Sequence, residues 1–314
     1  MNNNKFFKFG VIALSIVLIA CTGGSEAGCP ELGDRNLNVV ATTPMMGEFV
    51  DQVAGDNVNL TVLMPPEADP HTYEPAPQDA GTIADADLVF YTGLKYEPAA
   101  VVKLLENSAC SQNILAEIGE NVFPIEFKEG GHDDHDDHAG HEGHHHGEHD
   151  PHIWLDPMNA KVILNEMAEH LIENDAKNAS KYKSNLKKAL KDIDKLVSDV
   201  SSELNQSVAS IVFHDAYQYF EKRFGVIPAG ALTLNPDVLP GAKQIADIQD
   251  VINDKGIKCI FSEPQYNPKI IETLGNDMNI STGVMDPLGA NIDAGPTMYS
   301  DLINGIANSI KDCH

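Results

Sequence analysis

The chain has 314 residues and a formal net charge of −26, with 47 acidic against 21 basic residues. Such an excess of carboxylates repels nucleic-acid phosphate and attracts cations, and the length allows two lobes with cores of their own. None of the five cysteines forms a C-x-x-C pair, which excludes a zinc ribbon or a thioredoxin-type redox motif.

Lys5 and Lys8 precede an apolar run over residues 11–20. That run is too short to span a bilayer as a helix and reads as a secretory signal over residues 1–20. Leu18-Ile19-Ala20-Cys21 resembles a bacterial lipobox. The resemblance implies a lipidated Cys21, a tether over residues 21–36, and a soluble remainder outside the cytoplasm that meets the membrane only through its anchor. In that oxidising compartment the other four cysteines are expected to pair as Cys29 with Cys110 and Cys259 with Cys313, each pair within one half of the chain.

Downstream, β-rich apolar runs alternate with helical patterns. Strands are predicted over residues 37–42, 58–63 and 87–91, with helices near 45–54, 77–84 and 97–106, giving an N-terminal α/β lobe over residues 37–177. Inside it lies a tract over residues 130–150 that is almost wholly His, Asp, Glu and Gly. Its histidines are His132, His135, His138, His141, His144, His145, His146 and His149. Such a composition buries too little apolar area to offset its ordering entropy, so a disordered loop is expected without metal. Imidazole with carboxylate favours zinc, copper or nickel over magnesium or calcium, although solvated low-complexity insertions share this composition.

A further helix is expected after Asp156-Pro157. Tyr182, Leu186, Ala189, Leu190, Ile193, Leu196, Val197, Val200 and Leu204 then fall at helical spacing. They predict one long amphipathic linker helix within residues 178–204. In residues 205–314 strands are predicted over 208–213, 226–231, 258–262 and 280–285. Helices are predicted near 216–224, 241–254, 268–276 and 297–311. The alternation argues an α/β fold of two lobes with mainly parallel sheets, joined by the long helix.

Four polar residues stand where α/β sheets bind ligands, beyond strand ends, or next to the histidine tract. His71 follows the second strand, His152 follows the tract, His214 follows strand 208–213 and Asp286 follows strand 280–285. Each has a plain alternative, since a lone histidine after a strand is often a surface or capping residue and Asp-Pro often opens a turn. Glu263 also ends a strand and could face the same cleft as a base, an alternative ligand or a residue behind a ligand. His170, within a helix, and the terminal His314 are set aside.

Asp69-Pro-His71-Thr-Tyr-Glu-Pro75, Asp150-Pro-His152-Ile-Trp-Leu-Asp-Pro157, Phe213-His214-Asp-Ala-Tyr217 and Met285-Asp286-Pro-Leu288 occur in that order. Together with the lipobox and linker helix they resemble the zinc and manganese solute-binding proteins of bacterial ABC importers, over nearly the whole mature chain. The resemblance implies a monomeric C-clamp with one transported metal between its lobes, held by His71, His152, His214 and Asp286, and a membrane permease as partner. Manganese members of that family carry Glu where this chain has His214. Three imidazoles and one carboxylate suit tetrahedral Zn2+, with manganese or iron as the alternative. A zinc hydrolase is the opposing class, but the sequence holds no H-E-x-x-H and no G-x-S-x-G. An extracellular zinc buffer or adhesin is a third.

Overall fold

The computed structural model describes residues 35–93, 97–108, 114–117, 122–123, 125, 150–204, 209–226, 228–233 and 240–313. The expected signal, residues 21–34 of the tether with Cys21 and Cys29, Cys110, and all eight histidines of the tract lie outside these residues. Two four-stranded, wholly parallel sheets carry the fold. The first comprises β1 (Leu37–Ala41), β2 (Val58–Val62), β3 (Leu88–Tyr91) and β4 (Ile114–Glu117). The second comprises β5 (Ser210–His214), β6 (Gly230–Thr233), β7 (Cys259–Ser262) and β8 (Ser281–Val284). Their orders are β2-β1-β3-β4 and β6-β5-β7-β8, the same topology twice. The switch in direction from the central strand leaves a crevice at the carboxyl ends of β1 and β5.

The helices are α1 (Pro44–Ala54), α2 (Asp79–Ala84), α3 (Ala99–Ser108), α4 (Pro157–Asn174), α5 (Ala179–Glu203), α6 (Gln218–Phe224), α7 (Ala242–Lys255), α8 (Lys269–Met278) and α9 (Met298–Lys311). Local chemistry sets their starts. Thr43 caps α1 and Asp156 caps α4 by accepting from the Met46 and Met158 amides, with proline in the first turn of each. The long α5 buries Tyr182, Ala189, Ile193, Leu196 and Val200 on one stripe. No described helix is long and apolar enough to cross a membrane.

Alternation along the parallel strands puts apolar residues on both sheet faces, so both must be covered. Val39, Ala41, Leu88 and Phe90 of the first sheet and Val212, Cys259 and Phe261 of the second join one continuous core with α1, α4, α5 and α9. Val40 and Val89 pack outward with Ile83 and Val101, and Ile211, Phe213 and Ile260 pack outward with Ile248 and Ile271. The helical layer between the sheets is therefore shared. Phe49 of α1 packs at a tilt against Tyr299 of α9 with ring centroids 5.1 Å apart. Cys259 and Cys313 are disulfide-bonded, fastening the end of the chain beyond α9 to β7.

Two elements differ from the sequence pattern. The strand expected over residues 226–231 is displaced to Gly230–Thr233, because the Val226 amide is taken by the Glu221 carbonyl at 3.1 Å and closes α6. The edge strand β4 has no counterpart among the expected elements, and exists through its parallel pairing with β3.

Candidate metal centre

Three imidazoles meet between the sheets. His214 is the last residue of β5. His152 begins the short 3-10 turn Ile153–Leu155 that leads into α4, and His71 lies in the loop after β2. One nitrogen of each lies within 4.8 Å of those of the other two. The His152 and His214 Nε2 atoms are 3.3 Å apart. A tetrahedral zinc site with Zn–N of ~2.0–2.1 Å has ligand atoms about 3.3–3.4 Å from each other, so this pair already stands at the spacing of one tetrahedral edge.

The buried pair is held from behind. The His214 Nδ1 lies 2.8 and 2.9 Å from the two Glu263 oxygens, and the His152 Nδ1 lies 2.7 Å from Asp150 Oδ1. A carboxylate on Nδ1 fixes the tautomer that leaves Nε2 as a metal donor and strengthens that donor. His152, His214, Asp150 and Glu263 are all buried. The Tyr217 hydroxyl donates to Glu263 Oε1 at 3.2 Å and lies 3.3 Å from the Met285 carbonyl. Burial, with Glu263 beside it, raises the Tyr217 pKa well above that of a free phenol, so it stays a neutral donor.

Burial pushes the Asp150 carboxyl up to about 7, against the His152 amide and the nearby His214 ring, which both lower it. Burial alone would lower His214, but Glu263, then Asp69 and Asp150, outweigh it and raise this imidazole above its ordinary value. The carboxylates around His214 thus favour positive charge on that ring. His71 differs in being half-exposed. Its amide donates to Asp69 Oδ1 at 2.9 Å, and its ring lies 5.5 Å from that of His152 and 5.6 Å from that of His214.

Asp286 is not brought into the three-histidine group. Its Oδ1 accepts from the Leu288 amide at 3.2 Å, the Gly289 amide at 2.9 Å and Gln265 at 3.3 Å, while Oδ2 accepts from the Asn291 amide at 3.2 Å. Its carboxylate thus organises the turn after β8. Glu263 sits behind His214 rather than among the three rings. The sequence names Asp150 within the Asp150-Pro-His152 motif but assigns it no role behind the His152 ring. A signal was present: Asp69-Pro-His71 and Asp150-Pro-His152 are the same tripeptide, and in both the aspartate accepts the histidine amide at 2.9 Å.

The family described as zinc-uptake complex component A periplasmic, ZnuA, matches residues 39–313. A high-affinity zinc uptake system protein ZnuA of Brucella abortus (strain 2308) is 45% identical over 166 residues, covering 52% of this chain and 50% of that protein. The aligned part thus spans half the length of that relative. One of the same name from Paracoccus denitrificans (strain Pd 1222) is 34% identical over 320 residues, covering 95% of this chain and 97% of the relative. A solved structure titled "Crystal structure of ZnuA" superposes with a TM-score of 0.73 at 24% identity, covering 87% of this chain and 99% of that one.

Proposed function

The chain belongs to the ZnuA family of periplasmic zinc-uptake components, and we propose that it captures Zn2+ outside the cytoplasm and hands it to the permease of an ABC importer. The observation that carries this reading is the Nε2 pair 3.3 Å apart with a carboxylate behind each ring. Nitrogen donors preset at a tetrahedral edge suit zinc, whereas manganese favours oxygen-rich, higher-coordinate sites. The metal is cargo: it must bind tightly at scarce concentration and still leave.

In this reading His71, His152 and His214 are the principal ligands. Asp286 closes the fourth position as metal enters, since Oδ2 accepts a single amide and keeps a lone pair for the ion. A carboxylate in that place leaves no open position for an activated water, which argues for carriage and against hydrolysis. The lipidated Cys21 keeps the monomeric protein at the membrane beside its permease. The histidines between residues 130 and 150 offer weak exchanging sites that raise local zinc concentration near the cleft.

Metal analysis after exhaustive dialysis tests the assignment. One zinc per chain should persist in the wild-type protein and in a variant lacking residues 131–149, and be absent when His71, His152 and His214 are all alanine. Equal occupancy in the triple variant overturns the ligand assignment. Displacement of zinc by equimolar manganese overturns the choice of metal.

A further inference from the structure

Trp154 stands two residues after His152, in the same 3-10 turn, and is 5% exposed. Its ring lies edge-on to that of His152, with centroids 5.6 Å apart. Both its backbone and its side chain are tied to the second half of the molecule. The Tyr299 hydroxyl of α9 donates to the Trp154 carbonyl at 2.9 Å, and burial, then Asp156, keeps that phenol neutral. The indole Nε1 donates to the Pro287 carbonyl at 2.8 Å, across 133 positions of sequence. Pro287 is buried and directly follows Asp286.

The turn that Asp286 begins is shaped mainly from its own half. Its carboxylate accepts from the Leu288, Gly289 and Asn291 amides and from Gln265, and the Met285 amide donates to the Ser262 carbonyl at 2.9 Å. Among the described residues, the Trp154 bond is the one hydrogen bond that ties this turn to the first half. Leu288 and Trp154 also line one small cavity with Met64, Pro66 and Pro70, the segment that leads to His71. Trp154 thus sits where the segments carrying His71, His152 and Asp286 converge.

We propose that Trp154 is a positioning residue for zinc affinity: its indole N–H holds the Asp286 turn at a fixed offset from His152, so that the closing carboxylate of one half is referred to a buried ring of the other. The inference rests on the reading of His152 and Asp286 as ligands. The physical reason is preorganisation. From the 3-10 turn of His152 to the Asp286 turn the path runs through one side chain and one hydrogen bond. Without the N–H a buried carbonyl loses its donor, the turn is held from its own half alone, and zinc has to order it on binding. The contact with the His152 ring and the packing beside the His71 segment need only the aromatic rings, not the N–H.

The chain has a single tryptophan, so the N–H can be removed at one position without disturbing any other. Trp154 is replaced by 3-benzothienylalanine, in which sulfur takes the place of the indole N–H, in the wild-type, Asp286→Asn and His71→Ala chains. Zinc affinity is measured by competition with a chromophoric chelator at neutral pH. The replacement should weaken zinc about tenfold in the wild-type chain, the worth of one buried hydrogen bond. In Asp286→Asn, whose side-chain oxygen still accepts from the turn but lacks the charge, the replacement should cost under about twofold, because the two changes act through one ligand. In His71→Ala the tenfold loss should persist, since the ring is kept. Trp154→Phe, which lacks the N–H in a smaller ring, should repeat this pattern. An equal loss in all three chains overturns the coupling by placing the whole effect at His152. A loss that also vanishes in His71→Ala overturns it by tracking weakened binding in general, and no loss in the wild-type chain overturns it outright. Asp286→Asn binding zinc as tightly as the wild type is the distinct failure of the ligand reading, and overturns the proposal at that premise.

Discussion

The three histidines are presented in two different ways. His152 and His214 are buried, each with a carboxylate on Nδ1, and their donor atoms already stand at a ligand–ligand distance. His71 rides on the loop after β2, half-exposed, oriented through its backbone by Asp69. Under the proposed function, this division lets zinc be bound tightly and still let go. In the proposed site the buried pair is preorganised, so little ordering cost is charged to binding, while the half-exposed His71 is the one that water and a partner can reach.

Removing the proposed ligands should have the largest effect. His152→Ala and His214→Ala are expected to weaken zinc by more than a hundredfold, beyond what loss of an outer carboxylate costs. His71→Ala is expected to cost about tenfold less than either. Competition titration against a chelator measures all three, with Trp154, whose ring centroid lies 5.6 Å from that of His152, as a fluorescent reporter. If His71→Ala proves the most damaging, the division between a preset pair and a reachable third ligand is wrong.

The repeated Asp-Pro-His tripeptide sharpens the contrast. Asp150→Asn and Glu263→Gln remove the charge behind a ring nitrogen and should each lower zinc affinity about 10–100-fold. Asp69→Asn keeps an oxygen that can still accept the His71 amide, so its effect should stay within about threefold, or ~0.7 kcal/mol. Equal losses for the two aspartates would mean that Asp69 does more than orient its loop. Across the series, affinity should also fall on acidification, because protons compete for each imidazole.

The fold class was legible because the physics that makes it is local. Continuous apolar β-rich runs and the stripe from Tyr182 to Val200 follow directly from burying both faces of a sheet and one face of a helix. What could not be read was what depends on a partner. Ile114-Leu-Ala-Glu117 has helix-favouring composition and is a strand only because β3 offers it an edge. For the site, the positions after strands were visible, but not which side of a ring each carboxylate would meet. Glu263 could have been a base, a ligand or a residue behind a ligand until its oxygens were found on the His214 Nδ1, and Asp286 could have been a ligand or the opener of a turn until its oxygens were found on the amides of the turn. Trp154 stands in the motif after His152, but no pattern there points to the Pro287 carbonyl.

The Cys259–Cys313 bond tests whether the rigidity behind His214 is local. It closes a separation of 54 residues, for which chain entropy predicts about 4 kcal/mol of stabilisation, and it fastens the strand that ends just before Glu263. Cys313→Ser should therefore lower thermal stability substantially. Zinc affinity should change by less than about threefold, or ~0.7 kcal/mol, since Glu263 is also held by Tyr217. A large loss of affinity would show that the preset pair depends on the end of the chain as well as on its own carboxylates.

The smallest effect lies outside both ligand groups and separates pH-dependent stability from pH-dependent binding. Glu48 of α1 is buried in the shared helical layer, and burial pushes its carboxyl up to about 7. Asp51 adds to the rise, while Gln52 and the backbone at Tyr299 and Gly295 oppose it. A carboxyl whose folded pKa is raised makes its full contribution below its unfolded pKa, and that contribution is lost as pH rises through the folded value. The metal-free protein should thus lose stability between about pH 4.5 and about pH 7 on account of this group. Glu48→Gln, which cannot ionise, should flatten that decline and raise the melting temperature at pH 8 by about 2–4 °C for each ~1 kcal/mol recovered. Its zinc affinity should follow the wild-type pH curve, because no ligand or ligand-orienting carboxylate has been touched. A melting temperature unchanged at pH 8 would mean that Glu48 is already stabilised as an anion by Gln52 and the backbone amides, and a shifted zinc curve would mean that α1 communicates with the histidines.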